Sequence, residues 1–235
     1  MFKLPSKAYI HREYPLKDVF KAIGADKKLI EASKNIKKIY IEYVFNQKNT
    51  NLEVKSVKEI HFYKIELSDF HVPEDFILAL DKKDKFQVVF IITCQDLEKD
   101  MTALKKINGE TVSKAKYIQS EWMKIGDDVE IPTANTLDEL YCFLYGAFNE
   151  YKPFKGERLE DYIIRNNELR KLDFQISKTE MAIQNERQSK KRLKYNHNLN
   201  EYKERKSYLL DQRRMNNAEI INAIEGFVSG EHQED

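Results

Sequence analysis

Glycine is scarce in this chain, seven in 235 residues, and none of the seven is spaced as a phosphate-cradling loop requires. Nucleotide-binding loops built on glycine pairs are therefore excluded. The two cysteines, Cys94 and Cys142, are too few for a disulfide framework. They lie in strand-like and helix-like apolar contexts, where a free thiol behaves as a small hydrophobe. The five histidines (His11, His61, His71, His197 and His232) never approach a metal-ligand spacing with cysteine or with one another, so no metal site is expected. No serine stands in a nucleophile elbow. The longest apolar run, Val88–Ile92, is far below the ~20 residues of a membrane helix, and no signal peptide opens the chain. The expectation is a soluble protein of a reducing cytoplasm, with no membrane partner and no cofactor.

What is present divides the chain in two. Aliphatic and aromatic residues are plentiful up to about Tyr151 and thin out afterwards. A domain over residues 1–153 is long enough to bury a core of its own. Within it, Val19, Phe20 and Ile23 sit at helical spacing before Gly24, a C-cap residue, and a second short helix spans Asp26–Asn35. Lys38–Phe45 and Val57–Leu67 alternate as strands around a polar turn at Gln47–Asn51. Pro73 opens a helix running to about Lys83, and Phe86–Thr93 is apolar enough to be a central strand covered on both faces. Met101–Ile107 and Val112–Lys124 flank Asn108-Gly109 as a hairpin, and Thr136–Glu139 has the form of a capping box opening a last helix. The pattern predicts an α+β fold, a mixed five-stranded sheet with flanking helices, and lacks the strand–helix alternation of a doubly wound fold.

From Leu159 the period changes to seven. Tyr162, Leu169, Ile176 and Ile183 are a heptad apart with Leu172 and Thr179 between them; the seam lapses at Glu186 and returns with Leu199, Tyr202, Leu209, Asn216, Ile220 and Phe227. Residues 157–228 are expected to form a coiled-coil hairpin of two helices, each roughly 45 Å long. The turn is expected at the polar stretch Tyr195-Asn-His-Asn198; one unbroken helix is the alternative. Residues 229–235 read as an acidic disordered tail.

Charge follows the same division. Residues 1–150 hold 23 Lys and Arg against 24 Asp and Glu, whereas Arg187–Arg214 holds ten basic residues against three acidic ones. A solvated coiled-coil surface carries mixed signs, so this excess points to contact with DNA, RNA or another anionic partner. The residues expected to bind nucleic acid are Arg187, Lys190, Lys191, Arg192 and Lys194. Trp122 and the tyrosines read as core and rim aromatics. One catalytic arrangement is weighed against this: Glu53-Val-Lys55, with Glu42 as an upstream acid, has the composition of a magnesium-dependent nuclease centre. In a chain that is 34% charged such a triplet arises readily by chance.

The opening Leu4-Pro5, followed by Arg12, Pro15 ten residues after Pro5, and Phe20, resembles the start of a bacterial domain family of unknown function. The strand Glu59–Leu67, the helix after it and the strand Phe86–Thr93 resemble the family's next landmarks. The likeness covers roughly residues 4–150 and a helical tail. It implies an accessory subunit of a restriction-like or phage-defence system, since members are often encoded beside helicases and DNA methyltransferases. The family pattern has no acid-x-Lys where this chain has Glu53–Lys55, which weakens the nuclease reading. The sequence therefore favours a non-catalytic interaction subunit docking on a helicase or methyltransferase. A metal-dependent nuclease and a homodimer joined through the coiled coil are the alternatives.

Overall fold

A computed structural model of the chain describes residues 2–103, 105, 107–108, 111–112, 117–126, 129–131 and 133–211. The chain divides into two compact units between Gly156 and Glu157. The first unit carries strands β1 (Phe2–Lys3), β2 (Tyr9–Tyr14), β3 (Ile36–Asn46), β4 (Glu59–Leu67), β5 (Gln87–Cys94), β6 (Leu97–Ala103), β7 (Ile107–Asn108), β8 (Thr111–Val112), β9 (Tyr117–Gln119), β10 (Met123–Lys124) and β11 (Val129–Glu130). Its helices are α1 (Leu16–Ile23), α2 (Lys27–Ala32), α3 (Gln47–Thr50), α4 (Glu74–Lys83) and α5 (Leu137–Gly146). The second unit carries α6 (Leu159–Asn185) and α7 (Ser189–Leu210). Among the described residues no helix is long and apolar enough to cross a membrane.

The main sheet is mixed, as the sequence indicates, with the order β10-β6-β5-β4-β3-β2 and β9 also on β6. Among the described residues of this sheet only the β4–β5 pair is parallel, and α4 makes the crossover that a parallel pair requires. Seven strands form this sheet, where the pattern gave five. The additional pairing comes from two places. Tyr9–Tyr14 is an edge strand antiparallel to β3, bracketed rather than broken by Pro5 and Pro15. The expected Met101–Ile107/Val112–Lys124 hairpin is redistributed: β6 begins at Leu97 and pairs with both β9 and β10, and only the short β7–β8 pair flanks Asn108-Gly109. Gly109 and residues 113–116 lie outside the described residues.

Burial explains the layering. Every residue of β5 is buried, as a near-continuous apolar strand must be when both faces are covered. On one face Ile39, Ile65, Phe90, Ile92 and Met101 pack with Val19 of α1 and with Phe76, Ile77 and Leu80 of α4. Phe20 and Phe76 meet edge to face at 5.5 Å. Thr102, next to Met101 and so on the opposite face, meets the hydroxyl of Tyr141 from α5. The helix ends follow their sequence signals. Gly24 closes α1 at φ +66°, a left-handed conformation that a side chain would strain. Asp26 caps α2 through Leu29 N–H, and α3, Gln47–Thr50, is a single helical turn with a complete capping box on Asn46.

The Thr136 cap is half of the expected box. Its hydroxyl accepts Glu139 N–H at 3.0 Å, but the Glu139 carboxylate reaches past it to Asn135 N–H and to Gly156 N–H, each at 2.8 Å. Thr136→Ala should cost about 1 kcal/mol and lower the thermal midpoint by roughly 2–4 °C. Thermal unfolding followed by circular dichroism reads this, and an unchanged midpoint would show that the cap contributes nothing.

The arm is a hairpin, with its turn earlier than the sequence suggested. Residues 186–188 make the turn, and Tyr195–Asn198 lies inside α7. The Glu186 carboxylate accepts Gln188 N–H at 2.8 Å and holds the turn without glycine or proline. The place where the heptad seam lapsed is thus the turn itself. Asn and His are only modestly poor helix formers, and Tyr195–Asn198 stays helical. Leu169, Leu172 and Leu209 are buried, while Ile176 and Ile183 are half-buried. The seam residues Asn216, Ile220 and Phe227 and the acidic tail 229–235 lie outside the described residues.

Candidate nucleic-acid interface

The hairpin turn gathers the five cations singled out from the sequence. Arg187 lies in the turn and Lys190, Lys191, Arg192 and Lys194 in the first two turns of α7, all exposed. Among the described residues none of the five makes an ion pair. Farther along α7 the pattern reverses. Lys203 pairs with Glu180 at 2.8 Å, Arg205 with Glu168 at 2.7 Å and Lys206 with Asp173 at 2.5 Å, each across to α6. The unpaired cations also meet the positive end of a helix. The first turn of α7 contains no acid, and Gln188 provides no side-chain cap. Cations at that end are unfavourable by about 0.3–1 kcal/mol each at an exposed site. A polyanion would relieve this repulsion and accept from N–H groups at the start of α7, while the cations would release its condensed counterions.

The three residues of the nuclease arrangement are held differently. Glu42, on β3, is 8% exposed, and its carboxylate accepts from His11 Nδ1 at 2.8 Å. His11 stacks on Tyr40 at 4.7 Å and takes φ +46° where the β2–β3 register shifts, a conformation costing a non-glycine residue about 1–3 kcal/mol. Glu53 and Lys55 are exposed and lie in the loop before β4, not on a strand. Glu53 bridges Thr136 through its backbone alone. The Asp138 carboxylate accepts the N–H groups of Lys55, Ser56 and Val57 together with the Ser56 hydroxyl, pinning that loop to the start of α5. Among the described residues no three His, Cys, Asp or Glu side chains come together as a metal site.

A buried polar network that the sequence did not reveal lies at the end of α4. Lys105 Nζ reaches the Asp81 carboxylate at 2.8 Å, and Tyr117 donates its hydroxyl to the other Asp81 oxygen at 2.6 Å. Beside it, Asp84 accepts from His61 Nδ1 at 2.7 Å and from the Tyr63 hydroxyl at 2.9 Å, while His61 Nε2 faces Glu59 at 3.2 Å. Burial works against the charged His61, but the two carboxylates outweigh it and raise its pKa. Burial likewise opposes ionisation of Asp84, and His61 and Phe86 N–H overcome it and lower its pKa. Tyr63 is raised by burial and by the Asp84 charge. These groups pair with one another, so the network braces the meeting of α4 with the sheet. One signal was present in the sequence: Asp81 shares the apolar stripe of α4 with Phe76, Ile77 and Leu80.

Residues 2–205 match the family model described as a domain of unknown function, DUF4391. The chain belongs to the DUF4391 family. Neither a curated protein nor a solved structure matches it. The DUF4391 match runs beyond Gly156 and through Arg187–Lys194, so the cationic turn is part of the family region and not an appendage to it. It also takes in the His11–Glu42 pair and the Lys105–Asp81 network.

Proposed function

We propose that this DUF4391 chain is a non-catalytic accessory subunit of a restriction-like or phage-defence assembly. Its hairpin turn contacts nucleic acid, and its α+β unit docks on a larger helicase or methyltransferase subunit. The observation that carries the first part is the cluster of five exposed cations without ion pairs, on an arm whose other α7 cations find acids. The second part rests on the genomic setting implied by the family resemblance. The nuclease alternative finds no support in the placement of Glu42, Glu53 and Lys55.

Binding of a labelled duplex over a salt series tests the nucleic-acid contact. Affinity is expected to be indifferent to sequence and to fall with a log–log slope of about −0.9 per phosphate neutralised. Reversing Lys190, Lys191 and Arg192 together to Glu should flatten that slope by up to about 2.7. Helix content should survive, because Glu forms helix about as well as Lys. No binding at low salt, or binding with the same slope in the triple variant, would leave these residues as solvated helix surface. The arm would then serve protein contact, and co-purification of the larger subunit becomes the deciding measurement.

A further inference from the structure

We infer that the groove between α6 and α7 holds a single strand of nucleic acid, its bases stacked on Phe174, Tyr195 and Tyr202. The inference deepens the proposed role of the hairpin turn and rests on it. The groove encloses about 730 Å³. Phe174 is 70% exposed and lines the groove with Tyr195 and Tyr202, so three rings share one exposed face. On α6 it stands between Arg170 and Lys178, one helical turn to either side, so cation, ring and cation alternate along the groove. On α7 Tyr195 and Tyr202 stand two turns apart, with Asn198 between them. Lys171, which also pairs with Glu168 at 3.6 Å, completes the basic lining, and among the described residues no acidic side chain lines the groove.

This composition is the chemistry of a single-strand track. Every base offers a π-face to an aromatic ring, and the cations follow the backbone. Lys191 precedes Tyr195 by one helical turn, so the unpaired cations of the hairpin turn lead directly into the groove. A second copy of the arm fits the groove poorly. An isologous pair would bring the face carrying Arg170, Lys171 and Lys178 on one copy against the same basic face of the other, and facing like charges disfavour association.

The test uses the full chain and fluorescence anisotropy with labelled dT20, U20 and a 20-base-pair duplex. Phe174→Ala with Tyr195→Ala should weaken single-strand binding by about tenfold or more, given roughly 5- to 150-fold per stacked base. The salt slope should be kept, since no charge is removed, and duplex binding should change less than twofold. Tyr195→Phe should bind as the unaltered protein does. Phe174→Trp supplies a reading that does not depend on the truncation: its emission should be quenched on adding dT20. Full single-strand affinity in the double variant, or an unquenched Trp, overturns the groove while leaving the cationic turn as the contact. Absence of any binding by the unaltered protein at low salt removes both. A dimer in sedimentation that Phe174→Ala converts to monomer assigns the groove to a second copy, and that also overturns the inference.

Discussion

Lys105→Met is expected to lower the stability of the α+β unit by about 3–5 kcal/mol, the usual cost of removing one partner from a buried ion pair. The thermal midpoint should fall by roughly 6–20 °C. The Lys105 side chain is 1% exposed, and its three N–H donors have three acceptors: the Asp81 carboxylate at 2.8 Å, the Asp81 carbonyl at 2.9 Å and the Asp84 carbonyl at 3.1 Å. Those carbonyls are at the C-terminal end of α4, where backbone oxygens lack helical partners and the helix dipole is negative. Lysine thus caps the helix and neutralises a buried carboxylate with one group. Methionine fills much the same volume and does neither, leaving Asp81 with Tyr117 alone. Pairing Lys105→Met with Asp81→Leu should recover part of the loss, because an apolar pair of similar size is often no less stable than the ions it replaces. Urea denaturation of the two single variants and the double variant closes the cycle. A Lys105→Met protein within about 1 kcal/mol of the original would mean that the pair contributes little.

Charges inside the first unit and charges at the arm's turn differ in whether neighbours satisfy them, which net charge does not reveal. In the first unit Lys105, Asp81, His61 and Asp84 satisfy each other and brace the meeting of α4 with the sheet. At the turn five cations have no such partners among the described residues. The count of ten against three was legible in the sequence; which of the ten are paired was not. Glu180, Asp173 and Glu168 stand 23 to 37 residues before the cations they meet, and only the folding back of α7 on α6 brings them together.

The same distinction runs through the fold. Val88–Ile92 announced a central strand because burial on both faces demands an apolar run, and Gly24 announced a helix end because few residues tolerate its φ. Tyr9–Tyr14 did not announce itself: an edge strand with its side chains in water has no burial to imprint an alternation. Leu97–Ala103 was hidden for a different reason. Glu98 and Asp100 occupy buried positions that the hydrophobic pattern assigns to apolar residues. The hairpin turn was misplaced because its signal is one side-chain hydrogen bond from Glu186, whereas the asparagines at 196 and 198 looked like a break and are simply tolerated. In the first unit the His11–Glu42 pair was invisible because it depends on a register shift between two strands.

Asp100 provides the second large effect, and its sign is opposite to that of an ordinary surface carboxylate. The residue is fully buried, and among the described residues neither carboxylate oxygen has a hydrogen-bond partner. Burial, with the nearby Glu98 charge adding to it, pushes its pKa up to about 7 from the usual 3.8. Below pH 3.8 both the folded and the unfolded chain hold the proton, and the group does not affect the balance. Between 3.8 and about 7 the unfolded chain releases a proton that the folded chain keeps, so stability falls as pH rises. At 1.36 kcal/mol per pH unit the full window amounts to about 4 kcal/mol lost by neutral pH. Asn has nearly the same shape and no proton to lose. The Asp100→Asn protein should therefore lack this slope, gain on the original from pH 5 to about pH 7, and hold that gain to pH 7.5. Below about pH 3.8, where Asp100 is protonated in both states, the two should be close, since a buried amide also lacks partners there. Urea midpoints of both proteins at half-unit steps of pH measure the difference directly. If the two curves run parallel across that range, Asp100 titrates alike in the folded and unfolded chains, and its burial has been offset by a partner for its charge.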